Sequence, residues 1–293
     1  MTKLRFRFGT VGAPKGTPKK PGGSIGAIRY LRQRGLHAFE LGWVRSVRVS
    51  EKTCRGIRET ALQEDVSLSV HAPYYINLNA SAEEWPKSRK RLMDAAHYGN
   101  LAGADAIVFH PGSYFRKPAA EVLPAVIDRL QACVQELRAS GNHVTLRPET
   151  MGKAAMLGSL EDTLMMSRMI DGVEPCLDFA HLHARPGDGS MNSYREWCDL
   201  LDAYADALGS DALSRLHIHL SGIEYSPKGE KNHLPIAKSD LKLDDLLQAL
   251  FDKGCAGKIV CESPDESQIE DALTMQSKWR MLENGLADEE AEV

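Results

Sequence analysis

Several features are missing from this chain of 293 residues, and each absence narrows its function. No apolar run reaches the ~18 residues that a membrane-spanning helix requires, so no segment is expected to cross a bilayer. The basic N-terminal stretch 1–12 has neither an apolar h-region nor a small-residue cleavage site, so no secretory signal is read and a cytoplasmic location is expected. The six cysteines (Cys54, Cys133, Cys176, Cys198, Cys255 and Cys261) form no CxxC pair. Most lie in apolar surroundings, as the buried thiols of a reducing compartment do. No short internal repeat or low-complexity block is present. Positive charge is not in excess either: the formal net charge is −4. A protein that grips phosphates needs a positive footprint, and here that footprint has to be local.

What is present is enough for a large core, with 43% hydrophobic and 26% charged residues, the balance of a globular protein. Short runs rich in β-branched and aromatic residues predict strands over 5–11, 38–43, 67–72, 106–110, 143–148, 175–181, 215–220 and 258–262. Between and after them, helical spacing covers 24–34, 50–64, 82–101, 119–138, 160–169, 193–207, 241–253 and 267–282. The cleanest stripe is Val122, Val126, Ile127, Leu130, Val134 and Leu137. Glycines at Gly35, Gly103, Gly141 and Gly254 mark helix ends. Strands alternating with helices imply parallel strands joined by right-handed crossovers. A single (β/α)8 TIM barrel over residues 1–285, followed by an acidic C-terminal tail at 286–293, suits the length; a doubly wound open sheet is the structural rival.

Chemistry gathers at the ends of these strands. Strand three ends at His71, four at His110, five at Glu149, six at Asp178 and His181, seven at His217 and His219, and eight at Glu262. In a barrel these ends share one face, where active sites form. Imidazoles and carboxylates together suit zinc, manganese or iron. Glu149, Asp178 and Glu262 converging without a counter-charge would repel, and a cation satisfies them. Asp178 and His181, three residues apart, can point at different metals. His217 and His219 share a face, and only the later one should reach the mouth; His217 is expected deeper, in the core or behind a ligand. His183 is read as a loop residue or as a partner of a ligand. His37, His97 and His143 are read as structural or solvent-facing.

These residues resemble the endonuclease IV family, in a compact, archaeal-type variant. The most specific stretches are 71–79 (HAPYYINLN), 87–89 (KSR), 109–113 (FHPGS), 149–152 (ETMG) and 178–181 (DFAH), while 147–149 (RPE) and 219–222 (HLSG) through 230–233 (EKNH) are the variants that look archaeal-type. The resemblance implies a (β/α)8 barrel with three zinc ions. His71, His110 and Glu149 would hold the first, and Glu149 would bridge to a second held by Asp178, His219 and Glu262. His181 and His233 would hold the third. The position two before His233 is Lys231 where the family's Asp-x-His pair has aspartate, so Glu230 is the candidate substitute and the expected complement is two or three Zn2+, with Mn2+ as the alternative ion.

The resemblance further implies a monomer that hydrolyses the phosphodiester 5′ to abasic sites in double-stranded DNA, with Glu149 as the catalytic carboxylate. Tyr74 matches the tyrosine that enters the duplex, with Tyr75 as its packed neighbour. Arg45 and Arg48 after strand two, beside Trp43, and Lys15 with Lys19 and Lys20 after strand one are candidate DNA contacts. The loop after strand two lacks the Asn/Arg/Gln-rich recognition segment of the family. The rival function is a metal-dependent sugar isomerase or epimerase of the xylose isomerase-like barrels, which share the fold and a similar ligand set. A binding protein with vestigial ligands is a third class.

Overall fold

The computed structural model describes residues 5–264 and 266–291. Eight parallel strands form the barrel: β1 (Phe6–Val11), β2 (Ala38–Gly42), β3 (Ser67–His71), β4 (Ala106–Phe109), β5 (Thr145–Pro148), β6 (Cys176–Asp178), β7 (Leu216–Leu220) and β10 (Gly257–Cys261). Their hydrogen-bonded order is β5-β4-β3-β2-β1-β10-β7-β6. The gap between β5 and β6 is bridged by single parallel pairs, Leu146 with Val173 and Glu149 with Cys176, and by the Thr150 amide donating to the Cys176 carbonyl at 3.0 Å. The sheet therefore closes into a (β/α)8 barrel, as the alternation of strand and helix patterns predicts.

The surrounding helices are α1 (Gly23–Gln33), α2 (Glu51–Glu64), α3 (Trp85–Ala102), α4 (Ala119–Ala139), α5 (Leu160–Met169), α7 (Tyr194–Leu208), α8 (Leu243–Asp252) and α9 (Gln268–Ala291). Their starts are written in side chains. Ser50 accepts from the Thr53 amide ahead of α2, and Ser159 with Asp162 and Ser193 with Glu196 form capping boxes ahead of α5 and α7. The apolar stripe of α4 is buried at Val122, Val126, Leu130, Val134 and Leu137; Ile127 is half-buried at its border. Helix α9 extends through residue 291 of the stretch read as an acidic tail; residues 292–293 lie outside the described ones.

Two features depart from expectation. The sixth strand stops at Asp178 rather than continuing to His181, because the Asp178 side chain accepts from the His181 amide at 2.7 Å and caps a short helix, α6 (Phe179–Ala184). After β7 the chain does not simply loop to α8. It forms an antiparallel hairpin, β8 (Gly222–Ser226) and β9 (Gly229–Leu234). The hairpin closes on the β5–α5 loop so tightly that a side chain at Gly229 would meet the Gly152 carbonyl at 2.2 Å, and one at Gly152 would meet a Glu230 carboxylate oxygen at 2.3 Å. Those two glycines permit the approach that brings Glu230 and His233 over the barrel mouth.

The apolar core lies between strands and helices, with Trp197, Trp279, Tyr204 and Phe39 among its fully buried members. The barrel interior is polar instead. Lys258, 2.9 Å from Asp105, and Arg147, 2.7 Å from Glu174, mark its N-terminal end. Glu40, Ser69 and His217 form the middle. The histidines and carboxylates of the strand ends fill the top.

Candidate metal centre

Strand periodicity and strand ends bring most of these side chains together. On β7, Leu216, Ile218 and Leu220 join the apolar cluster while His217 and His219 face Glu40 inside the barrel. His71 ends β3, Asp178 ends β6, and His110, Glu149 and Glu262 immediately follow β4, β5 and β10. His181 comes from α6, and Glu230 and His233 from β9.

Glu149 is the centre of the arrangement and is fully buried. Its Oε2 lies 3.3 Å from the Nε2 atoms of both His71 and His110. Its Oε1 lies 3.3 Å from His181 Nδ1 and 3.5 Å from His219 Nδ1. His219 Nδ1 also stands 3.4 Å from Glu262. Five groupings of ligand atoms lie within 4.8 Å of one another among the described residues; three open on the mouth, namely His71, His110 and Glu149; Glu149, Asp178, His219 and Glu262; and Asp178, His181 and His233, while Glu40 with His71, His219 and Glu262, and Cys176 with His217 and His219, lie beneath them. Glu230 stands beside the third set, with Oε2 3.3 Å from His181 Nε2, while also accepting from the Gly152 amide at 3.1 Å.

The hydrogen bonds at the back of the imidazoles test whether cations fit these sets. His71 Nδ1 faces the Ala72 carbonyl at 2.9 Å, His181 Nδ1 the Thr150 carbonyl at 3.0 Å, and His233 Nδ1 the Glu262 carbonyl at 3.0 Å. A carbonyl only accepts, so each Nδ1 carries the proton and each neutral ring turns an Nε2 lone pair inward. The His71 lone pair then meets a carboxylate oxygen, and those of His181 and His233 meet each other at 3.3 Å. Both carboxylate oxygens of Glu149 and Oδ2 of Asp178 are buried without a hydrogen-bond donor. Lone pairs converging on lone pairs in a buried place require positive charge between them. This donor set of imidazole nitrogen and carboxylate oxygen fits zinc or manganese.

Protons fill the role in the metal-free chain. Burial depresses the His71 imidazolium, but Glu149, Glu40 and Glu262 together outweigh it and raise its pKa to about 9. Burial also works against His181, and Asp178, Glu149 and Glu230 raise it well above the ordinary histidine value. Burial pushes Glu149 upward, and His110, His181 and His219 bring it well below the carboxylate range. Asp178 goes the other way, raised by burial and by its neighbours Glu262 and Glu149 against the pull of His181.

Around this centre, Tyr74 stacks on His110 with centroids 4.9 Å apart and 28° between planes, meets the edge of His71 at 5.2 Å, and leaves 49% of its surface exposed. Tyr75 beside it is exposed at 63% and carries the Arg91 guanidinium over its ring, so it is not the packed neighbour expected. The β2–α2 loop touches this roof through the Tyr74 amide and the Val44 carbonyl, 2.9 Å apart. Arg45 and Arg48 on that loop are exposed and Trp43 is half-buried. Lys15, Lys19 and Lys20 are exposed on the β1–α1 loop, with Lys15 3.3 Å from Glu266. His183 is buried away from the three sets and bridges the Ser190 carbonyl and Asp240 at 3.0 and 3.1 Å. His37 pairs with Asp65 at the opposite end of the barrel.

The chain belongs to the xylose isomerase-like TIM barrel family, whose pattern matches residues 28–284. Among its relatives is an uncharacterized protein of Methanocaldococcus jannaschii, 36% identical over 89% of this chain and 93% of that one. Endonuclease 4 of Thermus thermophilus is 26% identical over 67% of this chain and 71% of its own length. Among solved structures, an endonuclease IV from Thermus thermophilus superposes with a TM-score of 0.71 at 22% identity, covering 93% of this chain and 99% of that one. A D-tagatose 3-epimerase-like protein superposes with a TM-score of 0.70 at 18% identity, covering 97% and 99%. At such identities the superpositions establish a shared barrel.

Reasoning from sequence missed Glu40. It lies in β2 between Phe39 and Leu41, fully buried, and accepts from Ser69 Oγ at 2.7 Å. His217 Nε2 is 2.9 Å from it, and burial lowers the His217 pKa to about 4, so this imidazole is neutral and donates. A carboxylate within a short apolar run was the available signal, since acids are almost never fully buried without partners.

The strand-end loops also differ in charge from the chain as a whole. The connections that follow the eight barrel strands carry thirteen Lys and Arg against ten Asp and Glu, three of the acids being Glu149, Glu230 and Glu262, in a chain of net charge −4. The sequence of these loops is therefore less acidic than that of the chain as a whole.

Proposed function

We propose that this protein is a metal-dependent phosphodiesterase that cuts double-stranded DNA 5′ to abasic sites. The observation that carries the reading is the division of Glu149, whose two oxygens face different imidazole groups, one toward His71 and His110 and the other toward His181 and His219. A carboxylate so divided could bridge two cation positions and would then fix their spacing. Divalent ions held there, zinc or manganese, supply the Lewis acidity that phosphodiester hydrolysis requires near neutral pH.

The chain's own residues do the rest. His71, His110 and Glu149 would hold one ion; Glu149, Asp178, His219 and Glu262 would hold a second. His181 and His233 would hold a third, with Glu230 the carboxylate nearest to them. Glu149 orients the attacking water on the phosphorus. The bond to the 3′-oxygen breaks, giving a 3′-hydroxyl and a 5′-deoxyribose phosphate. Tyr74, fixed on His110 and exposed above it, enters the duplex at the lesion, where no base pair has to be broken to extrude the sugar. Arg45, Arg48 and Lys15 bind flanking phosphates without reading sequence.

A second reading is sugar epimerisation. The set of Glu149, Asp178, His219 and Glu262 suffices for a single metal, and epimerase-like proteins share the barrel. The imidazoles of His71, His110, His181 and His233 and the cationic loops exceed what one metal and a neutral polyol need, and they favour the phosphodiesterase. Assay of the zinc-loaded protein against an abasic duplex and against ketohexoses separates the two: nicking of the duplex supports the first, and turnover of a ketose without nicking replaces it with the second.

A further inference from the structure

Glu40 does not belong to the ligand set that the proposed reaction uses, yet it is the carboxylate beneath it. Its Oε2 takes hydrogen bonds from Ser69 at 2.7 Å and His217 at 2.9 Å. Its Oε1 has no aligned donor among the described residues, and it lies 2.9 Å from His219 Nε2, which has no aligned partner among them either, although the Cys176 thiol also neighbours the His219 ring. Both residues are fully buried, so no solvent completes either. The other ring nitrogen of His219, Nδ1, is the one directed at Glu149 and Glu262.

We infer that Glu40 is a positioning residue for the metal centre: it holds the proton of His219 on Nε2, so that the Nδ1 lone pair is presented to the cation shared by Glu149, Asp178 and Glu262. His71, His181 and His233 are turned by backbone carbonyls, through Nδ1. No carbonyl among the described residues serves His219, and its ring is reversed, with Nδ1 inward. The carboxylate of β2 stands where the carbonyl stands for the others, and a ligating histidine commonly owes its tautomer to such a partner. Ser69 and His217, in turn, keep Oε2 occupied and leave Oε1 as the oxygen free to face His219.

The inference rests on the metal-binding part of the proposed function and is independent of the substrate. Its test is Glu40→Gln in the full-length protein. Ser69 and His217 direct the amide oxygen to the Oε2 position, which puts the amide NH2 against His219 Nε2 and forces the ring proton onto Nδ1, where the metal binds. Zinc affinity measured by chelator competition should fall about 10–100-fold for one equivalent, with the others within about threefold of wild type. The visible spectrum of the cobalt-substituted protein should change, while the melting temperature of the metal-free protein stays within a few degrees. Glu40→Ala, which removes the partner altogether, should weaken the same equivalent. Wild-type affinities for every equivalent in Glu40→Gln, with an unchanged cobalt spectrum, overturn the role of Glu40 alone. A wild-type protein that takes up neither zinc nor manganese overturns the metal centre itself.

Discussion

The Nε2 atoms of His181 and His233 face each other at 3.3 Å, although the opposite nitrogen of each ring is committed to a backbone carbonyl. Two lone pairs so placed define a cation position apart from the one between His71 and His110. His233→Ala should therefore lower the bound zinc by one equivalent and leave the other equivalents in place. Elemental analysis after gel filtration reads this directly. Unchanged stoichiometry in the variant would mean that His233 is only a partner of Glu262.

Glu149 touches both inner sets, so its neutral isostere is expected to disable them together. Glu149→Gln should reduce turnover by well over ~100-fold, beyond the loss usual for partners of ligands, and release at least one metal equivalent. Fold should be retained, because the carboxylate bonds no donor that the amide would strand. A variant with wild-type metal content and turnover excludes the bridge.

Metal uptake should depend steeply on pH. The His71 pKa is about 9 in the metal-free chain, so at pH 7 that ring is protonated and a metal has to displace the proton. Affinity is then expected to rise about tenfold per pH unit for each proton released, until pH approaches 9. The sign for stability of the metal-free protein is opposite. A folded pKa raised above the ordinary 6.5 stabilises the fold fully below 6.5, and the contribution is lost as pH climbs through about 9. Zinc titrations at pH 6.5, 7.5 and 8.5 in buffers of differing ionisation enthalpy check both proton count and direction.

Arg45 and Arg48 are exposed on the loop that meets Tyr74. Replacing either with Ala should weaken DNA binding uniformly across sequences and reduce the slope of log affinity against log salt by about one. Turnover at saturating DNA should remain near wild type. Tyr74→Ala should act differently, lowering turnover on abasic duplex more than affinity for intact duplex. Fluorescence anisotropy over a salt series, alongside single-turnover nicking, separates the two behaviours.

The fold is legible in the sequence because eight short apolar runs alternate with amphipathic helices, and a parallel strand buried on both faces advertises itself. The strand-end residues are legible for the same reason: His71, His110, Glu149, Asp178 and Glu262 each stand where an apolar run stops. What escapes the sequence depends on register and on contacts distant along the chain. Whether Glu40 faces the barrel interior is set by the pairing of β2 with β1 and β3, which the run 38–43 does not reveal. The β8–β9 hairpin has polar and charged residues on both faces, and it is held by the fit of Gly152 and Gly229 rather than by an apolar pattern of its own. The pattern around His181 reads as the end of a strand; a carboxylate three residues earlier turns the chain into a helix instead.

Anomalous diffraction from crystals of the zinc-loaded protein shows whether Glu149 stands between two cations. One peak is expected on the His71 and His110 side of the Glu149 carboxylate and a second among Asp178, His219 and Glu262. A single peak bound by one Glu149 oxygen, or no peak at that carboxylate, contradicts that arrangement.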